Sequence, residues 1–224
     1  MFSESLSRTA LFQGLNSEQV SAVLDCLNCR PKKYAKGQII LRAGDRAEAM
    51  GLVLTGSVNI ENNDAWGNRS ILDNIGPGEI FAETYSCLPE EPMLVDVAAA
   101  ESTQLLLLSA SKVLFPCDSA CPHHMALIRN LLTLTARKNL SLSRRILYTS
   151  SKSIRGKLLS YLSAQASLQQ SNRFSIPFNR QQLADFLGVD RSALCTELGK
   201  MRRENLIECE KNRFVLRRID GTQS

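Results

Sequence analysis

NRQQLADFLGVDRSALCTELGKMRRENLIECEKNRFVL, running from Asn179 to Leu216, reads as a short helix, a glycine turn, a second helix and a basic hairpin. Asn179 can cap the first helix, and Gln182 three residues on completes a capping box. Leu183, Ala184 and Leu187 form its apolar stripe, and Gly188 permits a sharp turn. Asp190 caps the second helix, whose buried face is Leu194, Leu198 and Met201 at i, i+4 and i+7. This leaves Arg191, Ser192, Cys195, Thr196, Gly199 and Arg203 on or near an outward face. A helix with one face held against a small domain and the other carrying short polar and basic groups suits the major groove of DNA. The competing reading is an ordinary helical hairpin with a solvated outer face. The basic hairpin that follows and the local charge favour DNA.

The charge supports this placement. The chain has 224 residues, with 27 Lys and Arg against 22 Asp and Glu. Residues 151–224 hold 13 of those bases and 7 of the acids, a net +6, while residues 1–150 are close to neutral. The positive charge therefore accompanies the two-helix motif, as contact with phosphates requires. Seven cysteines, an odd number spread along a chain of this length, do not resemble a secreted disulfide framework. No apolar run approaches the roughly 18 residues of a membrane span. The first residues, MFSESLSRTALFQGL, lack the basic segment and apolar core of a secretion signal. A cytoplasmic protein with no membrane partner is expected.

Upstream the pattern changes twice. Residues 4–28 are helical in period, and from about Lys33 short apolar runs appear: Ile39–Leu41, Leu52–Leu54, Val58–Ile60, Ile71–Leu72, Val95–Ala98 and Leu105–Leu108. Turn signals such as Gly44-Asp45, Thr55-Gly56 and Gly76-Pro77-Gly78 separate them, which predicts an all-β barrel or roll. No nucleotide-binding βαβ unit or P-loop is present. From Pro122 to Ser150 a long helix is predicted, of about 42 Å at 1.5 Å per residue. Met125, Ile128, Leu132, Thr135, Asn139, Leu142 and Ile146 step by alternating threes and fours, a heptad seam with Thr135 and Asn139 as polar interruptions. A stripe packed on the chain's own core is the alternative; the helix's length favours a dimer seam. A further helix over Ser151–Ser167 and a small strand over Phe174–Pro177 complete the C-terminal domain.

This order resembles the CRP/FNR family of bacterial transcription regulators over nearly the whole chain. The stretches that carry the resemblance are KGQIILRAGDRAEAMGLVLTGSVNI with IGPGEIFAE in the first part and RQQLADFLGVDRSALCTELGKM with its wing in the last. The resemblance implies an α+β fold in three parts. These are an effector-sensing β-roll of the double-stranded β-helix or jelly-roll kind (residues 1–121), a long dimerisation helix (122–150) and a winged helix-turn-helix (151–224). It also implies a homodimer on double-stranded DNA that is not an enzyme, with RNA polymerase a further candidate partner.

The family's site residues carry over in part. Glu83 stands where the family places a Glu for a cyclic nucleotide's ribose, so Glu83, Thr84 and Tyr85 are candidates for an effector pocket. The family's Arg-Ser pair for the cyclic phosphate is missing: no Arg occurs between Arg69 and Arg129, and Glu90 and Glu91 lie nearby instead. An anion there would lack its bidentate partner and face like charge, so cyclic AMP is not expected. The family's iron–sulfur branch uses an N-terminal cysteine cluster; here Cys26 and Cys29, inside the predicted helix, provide only C-x-x-C. Cys87, Cys117, Cys121 and His124 form a more local group, suited to zinc, haem iron or a cluster, or to thiol redox chemistry. Packed reduced thiols are the alternative. That group also sustains a competing reading, a thiol- or metal-dependent enzyme or redox protein on the same scaffold. In the second helix of the motif, the family's Arg-Glu-x-x-x-Arg is represented by Arg191, Ser192 and Thr196, which implies a different operator. Arg191 is the candidate guanine contact. Ser192, Cys195, Thr196 and Lys200 share the helix, and Arg180, Gln181, Lys211 and Arg213 are placed as contacts to phosphates, which position the domain without reading sequence.

Overall fold

In a computed structural model, residues 2–63, 69–115 and 122–217 are described. The chain divides into two compact units, residues 1–137 and 138–224. The fold is α+β: a sheet-rich N-terminal domain, a long helix and a C-terminal helix-turn-helix domain.

The first unit opens with α1 (Phe2–Ser7), a 3-10 turn (Ala10–Phe12) and α2 (Ser17–Cys26). The helical period over residues 4–28 is thus broken into three pieces. Asn16 interrupts it by capping α2, and Gln19 completes a capping box. Cys29 falls beyond α2 rather than inside a helix. It is buried, which pushes its thiol pKa up.

Eight strands follow: β1 (Pro31–Tyr34), β2 (Ile39–Leu41), β3 (Ala49–Thr55), β4 (Val58–Asn63), β5 (Arg69–Ile75), β6 (Ile80–Phe81), β7 (Asp96–Ala99) and β8 (Thr103–Ser109). They form two antiparallel sheets, ordered β1-β8-β3-β6 and β2-β7-β4-β5. Val53, Phe81 and Leu105 from the first sheet meet Val58, Ile75 and Val97 from the second in one core. The alternate residues Met50, Leu52, Leu106 and Leu108 turn the other way, into a second core. There they meet Phe12, Val20 and Leu24 of the N-terminal segment and Leu127 and Leu131 of the long helix. Burial on both faces explains why β3 and β8 read as continuous apolar runs rather than as an alternation. Gly51 is required by packing: β6 seats the Phe81 ring against it, and an added Cβ would lie 2.0 Å from that ring. Between β6 and β7 lies α3 (Glu83–Cys87), and after β8 lies α4 (Ala110–Leu114).

The long helix α5 (Pro122–Thr149) spans the boundary between the units. The second unit continues with α6 (Ile154–Leu168), β9 (Arg173–Ser175), α7 (Arg180–Leu187), α8 (Arg191–Arg203), β10 (Ile207–Glu210) and β11 (Arg213–Leu216). The three strands make an antiparallel sheet, β10-β11-β9. One core joins Leu158 and Leu162 of α6, Leu183 and Leu187 of α7, Leu194, Leu198 and Met201 of α8, and Phe174 and Phe214 of the sheet. Tyr148, in the last turn of α5, packs edge-on to Tyr161 at 5.4 Å between ring centres. Phe186 lies 5.4 Å from the same Tyr161 ring. Burial pushes the Tyr161 pKa up to about 12, so the phenol remains neutral in this core.

Candidate nucleic-acid interface

The two helices of the motif are set by their caps. Asn179 and Gln182 exchange backbone contacts at 3.0 and 2.9 Å, the full capping box at the start of α7. Gly188 ends α7 with φ +61°, the left-handed conformation a helix-ending glycine adopts without a Cβ penalty. Lys157 Nζ donates to Leu187 O at 3.1 Å, tying α6 to that turn and placing a cation at the helix C-terminus. Asp190 then caps α8, accepting from the Ala193 amide at 2.9 Å. The Ser192 hydroxyl on the same carboxylate, with the Ala193 amide, holds the Asp190 pKa below its ordinary value.

The back of α8 is clamped as well as packed. Arg155 of α6 donates from Nε to Glu197 at 2.6 Å and in bidentate fashion to Glu204 at 2.8 Å. These partners raise the Arg155 pKa and lower that of Glu204. Lys200 is 3.8 Å from Glu197. Glu197 of α8 and Glu204 at its C-cap are therefore both drawn toward α6.

The outward face carries Arg191, Ser192, Cys195, Thr196 and Lys200, all exposed. Two hydroxyls are already engaged: Ser192 Oγ donates to Asp190, and Thr196 Oγ1 donates to Ser192 O at 2.9 Å. Gln181 is exposed and donates to Asp185 at 2.8 Å. Arg180 is only half-exposed, because its guanidinium lies 5.1 Å from the centre of the Phe214 ring. Lys211 and Arg213 are exposed in the wing. Arg202 belongs beside them: with Arg213, Arg217 and Asn205 it lines a groove of about 490 Å³ between the end of α8 and the wing. Arg202 lies off the face that carries Arg191, Ser192, Cys195 and Thr196, so no local pattern marks it, and the position of the wing brings it near Arg213.

In the first unit, Glu83 opens α3 and is buried, so it is not a surface carboxylate. The residue before it, Ala82, has φ +57°, a left-handed backbone that a residue with a Cβ adopts at a cost. Thr84 is exposed and Tyr85 half-buried. Glu90, near which a phosphate would have to sit, is exposed and paired with Arg46 at 3.4 Å. Cys87 is half-buried, and burial pushes its thiol up, away from the thiolate form that binds metals or reacts. His124 is buried in the first turn of α5. Cys117 and Cys121 lie outside the described residues. Among the described residues, no group of three or more His, Cys, Asp or Glu is placed to hold a metal ion.

Along α5, the proposed seam residues divide. Met125, Leu132, Leu142 and Ile146 are exposed at 60, 68, 62 and 69%, whereas Ile128 is half-buried against the first unit's core. Thr135 is half-buried and donates to Leu131 O at 3.1 Å, and Asn139 is exposed and accepts from Ser143. Leu140 and Leu147 are also exposed. No helix among the described residues is long and apolar enough to cross a membrane.

Comparison with known proteins falls on these same two regions. A family model for the cyclic nucleotide-binding domain matches residues 31–118, and one for the Crp-like helix-turn-helix domain matches residues 156–221. The chain is 36% identical over 98 residues to the cyclic AMP receptor protein of Thermus thermophilus, and this match spans 44% of either protein. It is 23% identical over 194 residues to the transcriptional activator protein FnrL of Cereibacter sphaeroides, covering 83% of this chain and 75% of that one. Among solved structures it resembles the T. thermophilus catabolite activator protein, with TM-score 0.50 and 24% identity over 93% of this chain and 94% of that one. It also resembles the c-di-GMP-responsive global regulator CLP of Xanthomonas campestris, with TM-score 0.52 and 18% identity over 90% and 99%. The structural likenesses establish the fold. The matched domains and relatives are those of transcription regulators and not of enzymes.

Proposed function

The chain belongs to the CRP/FNR family of transcription regulators, and on that premise we propose that it is a cytoplasmic homodimer that reads a specific DNA site through α8 and answers to an effector bound in its β-roll. One observation carries the DNA assignment. Arg191 stands exposed at the first turn of a helix whose back is buried, capped by Asp190 and clamped by Arg155. A side chain on so firmly held an element can meet a guanine edge bidentately with little further ordering. Lys211 and Arg213 in the wing, Arg202, and Arg180 and Gln181 at the start of α7 supply the positioning contacts.

Dimerisation through α5 is supported by the exposed apolar side chains on the seam, which one copy of the chain leaves open to water. In a twofold dimer the two α8 helices meet half-sites about one helical turn apart, near 34 Å. RNA polymerase is the partner through which such a regulator would act.

The effector site is assigned to Glu83, Thr84 and Tyr85, and its ligand is a small molecule other than cyclic AMP. The Thermus relative carries cyclic AMP in its name. This chain has no Arg between Arg69 and Arg129 to meet a cyclic phosphate. A redox or metal signal through Cys87, Cys117, Cys121 and His124 is the second reading, favoured by the burial of His124 in the turn that follows the two outlying cysteines.

The deciding experiment is operator binding by the Arg191→Ala protein. It should lose about 1–3 kcal/mol on the specific site and relax base preference at one position. Unchanged affinity would remove α8 from the groove. Calorimetry with cyclic AMP should give no binding heat, and metal and absorbance analysis of anaerobically purified protein tests the second reading.

A further inference from the structure

The centre of the α8 outer face is poor in hydrogen-bond donors. The strong donors lie at its two ends, Arg191 at the first turn and Lys200, Arg202 and Arg203 at the last. Between them, the Thr196 hydroxyl donates back to Ser192 O, and the Ser192 hydroxyl donates to Asp190. A threonine oxygen turned to the carbonyl one helical turn back has its rotamer set. The γ-methyl is then the group left facing outward from an exposed position. Cys195 beside it is exposed and carries only a weak donor thiol. Gly199, one turn on, has nothing within 4 Å of where a Cβ would stand, so the strip stays low and open. Ser192, its proton engaged, offers outward only lone pairs.

The major groove holds one apolar group, the 5-methyl of thymine. We infer that α8 reads thymine through that methyl, with the Thr196 methyl and the Cys195 side chain packed against it, and that Arg191 is the one residue of its outer face that reads a base by donating hydrogen bonds. Ser192 accepts from the exocyclic amine of an adenine or cytosine. The inference rests on the DNA-reading role proposed for α8 and specifies which chemistry that reading uses. It follows from this chain's own side chains, since Ser192 and Thr196 stand where a carboxylate and a guanidinium would read quite different base edges.

The test uses the full chain and a duplex library with randomised positions. Selection should enrich half-sites with a guanine and one or more thymines within the same major-groove segment. Each enriched thymine is then replaced by deoxyuridine, which removes the methyl and keeps the base pair. At least one replacement in a half-site should weaken binding about fourfold, the weight of one buried methyl group at about 0.8 kcal/mol. With Thr196→Ser, which leaves only Cys195 against the thymine methyl, the preference for thymine over deoxyuridine at that position should fall. Equal binding of thymine and deoxyuridine at every enriched position would overturn the inference while leaving sequence-specific binding intact. Full retention of the preference in Thr196→Ser would overturn the assignment to Thr196. Selection that enriches no sequence would instead overturn the DNA-reading role itself, and this inference with it.

Discussion

Single side chains decide where α8 begins and how firmly it is held. Asp190, Glu204 and Glu208 all have depressed pKa values, through Ser192, Arg155 and Arg217 respectively. A carboxyl whose folded pKa lies below its unfolded value contributes stability above the unfolded pKa, near 4, and loses it as pH falls through the folded pKa. Because all three are solvent-exposed, the melting temperature should be flat from neutrality to about pH 5 and decline modestly below about pH 4. Glu204→Gln should flatten that fall, and calorimetric scans across the acid range would show it. Asn179→Ala removes the cap of α7 and should cost about 1 kcal/mol in denaturant titration. The Gln182 side chain accepts from the backbone amide of residue 179, which Asn179→Ala keeps, so Asn179→Ala and Gln182→Ala together should cost close to the sum of the two.

Each element is held by a different physical device, and the devices predict different failures. The core side of α8 is hydrophobic: Leu194 and Leu198 are buried against α6 and α7. Leu194→Ala should cost about 2–5 kcal/mol and abolish operator binding by unfolding the domain, visible as a lowered midpoint. The polar side is held by the Arg155 clamp on Glu197 and Glu204. Arg155→Lys keeps the charge but loses the planar fork, so it should restore only part of the stability lost in Arg155→Ala. The β3 strand is limited by space, and Gly51→Ala must displace the Phe81 ring, lowering the stability of the first unit alone.

For the whole molecule, the open apolar stripe along α5 is the feature that one chain leaves unsatisfied. Leu142→Glu with Ile146→Glu should shift sedimentation from dimer to monomer and weaken operator binding, because paired half-sites require paired helices. The basic C-terminal part should give strongly salt-dependent affinity, falling linearly in a log–log plot, with Arg213→Ala reducing the slope by about one. A slope unchanged by Arg213→Ala would remove the wing from the phosphate backbone.

Much of this protein is legible as pattern. The capping box of α7, the Asp190 cap of α8, the helix-ending glycine and the i, i+4, i+7 stripe of Leu194, Leu198 and Met201 locate α7 and α8, because helix ends and faces depend on residues within four positions of one another. Charge segregation and the C-terminal motif point to DNA for the same local reason. The strands β1 and β6 escape such reading: PKKY has one half-buried residue among exposed ones, and Ile80-Phe81 is too short to show a period. Their pairing with β8 and β3 is made by partners distant in the chain. The burial of Glu83 and the stacking of Arg180 on Phe214 depend on where groups distant in the chain lie in space. Residue type states which bonds a side chain can make, whereas folding chooses the partner that takes each one, and so which groups remain to face a ligand.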